Sequence, residues 1–125
     1  MDTAINDKRE YVLHYFLEIK HSFDGDYAKA HDHTIEIKCK IGVRHEDLLQ
    51  FGQIEDVAKK VIDRYDQKYL NRLPGFKDDS TIERLGEVLC YEIDDEIKKF
   101  GYEMTRFEIG ETPLRVYVIT DELRA

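Results

Sequence analysis

Two cysteines in a chain of 125 residues, Cys39 and Cys90, make neither a disulfide framework nor a thiolate metal site. Cys39 shares strand parity with Ile37 and Ile41, and Cys90 lies between Leu89 and Tyr91 in a helical pattern, so both are expected as small core residues. No apolar run approaches the roughly 18 residues needed to cross a bilayer. The opening stretch Met1-Asp2-Thr3-Ala4-Ile5-Asn6-Asp7-Lys8 also lacks the basic and then apolar regions of a secretory leader, so a cytoplasmic protein is expected, with no membrane partner. Repeats, low-complexity tracts and linkers are missing too, which points to one domain over residues 1–125. Positive charge is in short supply: 19 Lys and Arg face 27 Asp and Glu, a net charge of −8. Affinity for nucleic acid comes largely from basic side chains displacing counterions, so a nucleic-acid partner is not expected. What remains is 42% apolar and 37% charged residues, the balance of a soluble domain with a heavily ionised surface.

The apolar residues change period along the chain. From Tyr11 to Phe23 every second position is apolar, aromatic or histidine: Leu13, Tyr15, Leu17, Ile19, His21 and Phe23. That alternation predicts a strand. Asp24-Gly25-Asp26 is turn chemistry. In the next strand, His31, His33, Ile35, Ile37, Cys39, Ile41 and Val43 share one face, with Asp32, Thr34, Glu36, Lys38 and Lys40 on the other. The two strands predict an antiparallel hairpin. Helical spacing then takes over through Phe51, Ile54, Val57, Ala58, Val61, Ile62 and Tyr65, until Pro74-Gly75 breaks the chain. Ser80 with Glu83 three residues on has the form of a capping box and predicts a second helix carrying Leu85, Val88, Leu89, Ile93 and Ile97, stopped at Gly101. Two more strands are predicted near Tyr102–Ile109 and Leu114–Thr120, joined through Gly110-Glu111-Thr112-Pro113. The order β-β-α-α-β-β implies an α+β domain with two helices on one face of an antiparallel sheet. Four strands leave two edges, and closing them against other subunits would protect both.

Histidine supplies the candidate chemistry. His31 and His33, alternate residues of one strand, project to the same face, and His21 on the partner strand can lie opposite them. Three neutral imidazoles suit zinc and leave a fourth coordination place for water or substrate. The same spacing also fits histidines that simply hydrogen-bond on a half-buried face. His14 falls on the other parity from His21, and His45 has no partner at metal spacing, so both are expected at the surface or in structural roles.

Taken together, these segments resemble the 6-pyruvoyl-tetrahydropterin synthase and 6-carboxytetrahydropterin synthase family from about Tyr15 to Tyr117. His21 matches the family's first zinc histidine, and His31-Asp32-His33 its His-Gly-His. Gln50-Phe51 stands for its Asp-Phe before the first helix, and Asp66 to Pro74 for its Asp-His, Tyr-Leu-Asn and Pro. Ser80-Thr81-Ile82-Glu83 matches its Pro-Thr-x-Glu, and Glu111-Thr112 its late Glu-Thr. The resemblance implies a tunnelling fold (T-fold) whose subunits close barrels as trimers stacked into hexamers, with zinc (Zn2+) on His21, His31 and His33. It implies a bound pterin anchored by Glu111, with Thr81 and Glu83 as further candidate contacts. Ser80 and Glu83 are equally accounted for as a helix cap, and Glu111 as a turn residue.

Two departures bear on mechanism. The family's catalytic cysteine falls here at Tyr27, and the histidine of its Asp-His pair at Gln67. A thiol ionises near pH 8.5 and a phenol near 10, and an amide hydrogen-bonds but cannot shuttle a proton near neutrality. Tyr27, Asp66 and Gln67 are the candidate catalytic positions, with Asp26 and Lys68 the other polar neighbours. The resemblance implies a zinc-dependent lyase acting on 7,8-dihydroneopterin triphosphate or a related dihydropterin, or a homologue that binds zinc and pterin without turnover.

Overall fold

A computed structural model describes residues 9–22, 26–43 and 51–120. Phe23, the Asp24-Gly25 half of the expected turn, His45 and Gln50 lie outside the described residues. The first strand, β1, runs Arg9–His21, and β2 runs His31–Val43. They form the expected antiparallel hairpin, in which Leu13 faces Cys39, Tyr15 faces Ile37 and His21 faces His31. Between them Asp26 caps a short 3-10 turn at Tyr27–Lys29, its side chain accepting from Ala28 N at 3.0 Å.

Helix α1 spans Phe51–Asp63, ending before Tyr65, and α2 spans Ile82–Lys98. Ile54, Ala58, Val61 and Ile62 of α1 are buried, as are Leu85, Leu89, Cys90, Ile93 and Ile97 of α2. They cover the face of the sheet that carries Leu17, Ile19, Ile35, Ile37, Cys39 and Ile41. Both cysteines are buried and neither is in a disulfide, and desolvation pushes the Cys39 thiol pKa well up.

The start of α2 corrects the expected cap. Thr81, not Ser80, is the N-cap, its hydroxyl accepting from Arg84 N at 3.1 Å. Ser80 is drawn inward instead, its hydroxyl donating to Ser22 O at 3.1 Å. Two adjacent residues both had cap chemistry, and a tertiary hydrogen bond took one of them. After α2 the chain turns at Gly101 (φ 83°), as its helix-stop role requires.

Among the described residues the sheet has five strands, not the four expected. β4 (Glu103–Thr112) pairs with β2, and β5 (Arg115–Thr120) pairs with β4, both antiparallel. A two-residue strand, β3 (Lys68–Tyr69), adds to the end of β1 in parallel, opposite Ile19 and Lys20, giving the order β3-β1-β2-β4-β5. β4 also runs further than expected. Glu111 and Thr112 belong to the strand, and Thr112 pairs with Arg115 across a tighter turn. Among the described residues, no helix is long and apolar enough to cross a membrane.

Candidate functional site

The end of β1 is clasped from two directions. Asn71 holds the Ser22 backbone twice, accepting from its N–H and donating to its carbonyl, each at 2.9 Å. Ser80 adds its hydroxyl to the same carbonyl. The clasp brings the backbone ahead of α2 against His21, and the Ser80 carbonyl lies 2.7 Å from His21 Nδ1. A carbonyl oxygen only accepts, so Nδ1 carries the proton and the neutral ring keeps its lone pair on Nε2. A second group fixing the tautomer in this way is the usual support of a metal-binding histidine. His21 is fully buried. It continues the inward face of Leu17 and Ile19, the period-two rule carried to the last residue of the strand.

His33 reaches the same place from β2. Its ring meets that of His21 edge to face, centroids 4.8 Å apart. From β4, Glu111 Oε2 lies 3.3 Å from His33 Nδ1. One ligand atom from each of His21, His33 and Glu111 falls within 4.8 Å of the others, the spacing of a possible metal centre. Desolvation lowers the pKa of His33 below the ordinary 6.5; His21 and His31 push it the same way, and Glu111 opposes them. The neutral, ligating form is therefore favoured. His31 is exposed, its ring centroid 6.1 Å from that of His33. It shares the strand face but stands outside the tight group. Two buried or half-buried imidazoles, a third beside them and a carboxylate are a donor set that fits zinc.

Two clefts adjoin the cluster. One, of about 570 Å³, is lined by His21, Thr81, Glu83, Glu111, Arg115 and Tyr117 among others. It gathers all three residues expected to contact a pterin. Tyr117 donates to Glu87 at 3.2 Å, and desolvation raises its pKa. The other cleft, of about 540 Å³, contains His33, Tyr27 and Gln67 with Lys20, Lys68 and Tyr69. Asp66 does not line it; its carboxylate accepts from Glu18 N at 2.7 Å. Gln67 takes φ 64°, donates its backbone N–H to Glu18 O, and reaches Glu18 Oε2 with its amide at 3.1 Å. These bonds seat β3 beside β1 and so shape the cleft wall.

His14 is a surface residue, 2.9 Å from Glu36. The Asn71 and Ser80 clasp and the part played by Lys20 and Tyr69 escaped the sequence reading. Asn71 was visible within Tyr69-Leu70-Asn71, yet nothing local marks it as the partner of Ser22, 49 positions away.

The family model for 6-pyruvoyl tetrahydropterin synthase matches residues 5–122. The 6-pyruvoyl tetrahydropterin synthase of Caenorhabditis elegans is similar in structure, with TM-score 0.77 and 14% identity over 91% of this chain and 96% of that one. The Plasmodium vivax synthase gives TM-score 0.66 and 14% identity over 90% and 97%. An uncharacterized protein of Wolinella succinogenes gives TM-score 0.62 and 13% identity over 91% and 98%. Identity this low makes these likenesses ones of fold. No curated protein sequence matches the chain.

Proposed function

Because the chain belongs to the 6-pyruvoyl tetrahydropterin synthase family, we propose that it is a zinc-dependent, cytoplasmic pterin enzyme. Its substrate is 7,8-dihydroneopterin triphosphate or a related dihydropterin, and its reaction is side-chain elimination or cleavage. The observation that carries this reading is the cluster of His21, His33 and Glu111, which lends His33 to the wall of one cleft and His21 and Glu111 to the wall of the other.

His21, His33 and the neighbouring His31 would hold the zinc, which when bound supplies Lewis acidity toward side-chain oxygens. The rest is work for the chain's own groups. Glu111 has two oxygens, one near His33 and the other available to accept from the amino and imino edge of a pterin ring. A ring bound over this carboxylate, which is exposed in the single chain, would withdraw it from water, and there it needs such donors. Thr81 and Glu83 line the same cleft and extend the polar edge facing the ring. Tyr27, in the other cleft, is the group that gives or takes a proton; Gln67 offers hydrogen bonds there, and Asp66 positions the wall through Glu18. The outer side of β5, and the part of β1 that the two-residue β3 leaves uncovered, support assembly as a homo-oligomer, trimer or hexamer.

A second reading rests on the pair Asp66-Gln67, which has an amide where the family has an imidazole and is engaged with Glu18. In that reading the chain binds zinc and pterin without turnover. Incubating the zinc-loaded protein with dihydroneopterin triphosphate and identifying products by mass spectrometry separates the two. Side-chain cleavage supports the enzyme, retention of unchanged ligand supports the binding protein, and neither binding nor turnover removes both.

A further inference from the structure

Tyr27 is surrounded by cations. Lys20 Nζ lies 3.5 Å from its hydroxyl, at the long end of hydrogen bonding, and 5.1 Å from its ring centroid. The Arg72 guanidinium is 5.3 Å from the Tyr27 centroid and 5.4 Å from that of Tyr69. Tyr69 in turn meets Tyr27 edge to face at 5.0 Å. Sheet register sets this up, since Lys20 pairs with Asp32 on one side and with Tyr69 on the other. Asp32 shares the Lys20 ammonium at 3.7 Å, but its side chain is largely in water, and Glu18 is tied to Gln67. The phenol thus faces two cations drawn from separate segments, at the wall of the cleft that contains His33.

We propose that Lys20 and Arg72 are positioning residues that make Tyr27 the reactive phenol of this cleft. When Tyr27 protonates a bound ligand, its O–H bond breaks and the proton passes to the ligand atom facing it. The electron pair stays on the phenolic oxygen, beside the Lys20 ammonium and under the Arg72 cation, and water from the cleft mouth restores the proton. In the opposite direction the same charges hold the phenolate that accepts a proton. The use of this phenol in turnover rests on the function proposed above; its enhanced reactivity does not.

Tyr91 provides an internal reference, being 51% exposed against 52% for Tyr27. The intact protein is treated with a small aryl sulfonyl fluoride, which a phenolic oxygen attacks at sulfur with loss of fluoride. Labelling of each tyrosine is followed by peptide mass spectrometry. Tyr27 is expected to react about tenfold faster than Tyr91, because a cation within hydrogen-bonding distance offsets charge developing on the oxygen. Lys20→Met should bring Tyr27 down to the Tyr91 rate, Lys20→Arg should restore most of the difference, and Arg72→Gln should remove part of it. Equal rates in the unaltered protein overturn the proposal, as does a Tyr27 rate indifferent to Lys20→Met. Far-UV circular dichroism checks each variant, and Arg72→Gln carries the test if Lys20→Met does not fold. The labelling needs neither zinc nor pterin. Its failure leaves the zinc and turnover tests standing, and their failure leaves it readable.

Discussion

Replacing Gly110 with alanine should damage fold and site together. A Cβ at this position would stand 2.7 Å from Arg115 O, 3.3 Å from Thr112 O and 3.4 Å from Val116 Cα. A relaxed carbon–oxygen contact is about 3.3 Å, so the backbone must yield by about 0.6 Å. All three contacts are backbone, with no flexible side-chain end to swing aside, and the hairpin of β4 and β5 has to move. Overpacking of this kind costs about 1–3 kcal/mol. For a domain of this size that is a fall in Tm of roughly 5–15 °C. The shift falls on the residue beside Glu111, whose carboxylate lies 3.3 Å from His33 Nδ1, so metal affinity should drop as well. Gly52→Ala is the matched control. Nothing lies within 4 Å of its added Cβ, and it should be neutral or stabilise α1 by up to about 1 kcal/mol. Urea denaturation with zinc titration reads both effects. A Gly110→Ala protein as stable as the parent, with undiminished zinc affinity, would refute the close approach.

Other expectations follow from single contacts. Thr81→Ala removes the α2 cap and should cost about 0.5–2 kcal/mol in urea unfolding. In the metal-free protein, the NMR titration of His33 should have its midpoint below 6.5, because burial disfavours the charged ring, and Glu111→Gln should lower it further. With the folded-state pKa depressed, this group's contribution to stability is present above pH 6.5 and is lost as pH falls from there through the folded value; a midpoint at or above 6.5 would contradict the burial of the ring. Cys39 and Cys90 should resist iodoacetamide in the native protein and react only on unfolding, since both are buried.

The period-two and helical patterns were enough to place the hairpin and both helices, because each element buries one continuous stripe. What escaped depends on distant partners. β3 has only two residues, and it exists because Asp66 and Gln67 bond to Glu18 across 48 and 49 positions. Ser80 and Thr81 offer equal cap chemistry, and the choice between them was made by Ser22. Glu111 reads as a turn residue from its neighbours Thr112 and Pro113, but cross-strand pairing draws it into β4. In the site, the parity of β2 correctly placed His31 and His33 on one strand face. The unequal burial of the two rings depends on how β1, β4 and the segment before α2 close around the strand end.

Everything proposed for the site requires that these imidazoles hold one metal ion. X-ray absorption at the zinc edge, on the purified chain and its His33→Ala variant, tests it most directly. One zinc per chain is expected, with nitrogen and oxygen neighbours at about 2.0–2.1 Å and no sulfur, and loss of that zinc in the variant. A chain that takes up no zinc, or a variant that keeps it undiminished, would contradict that requirement.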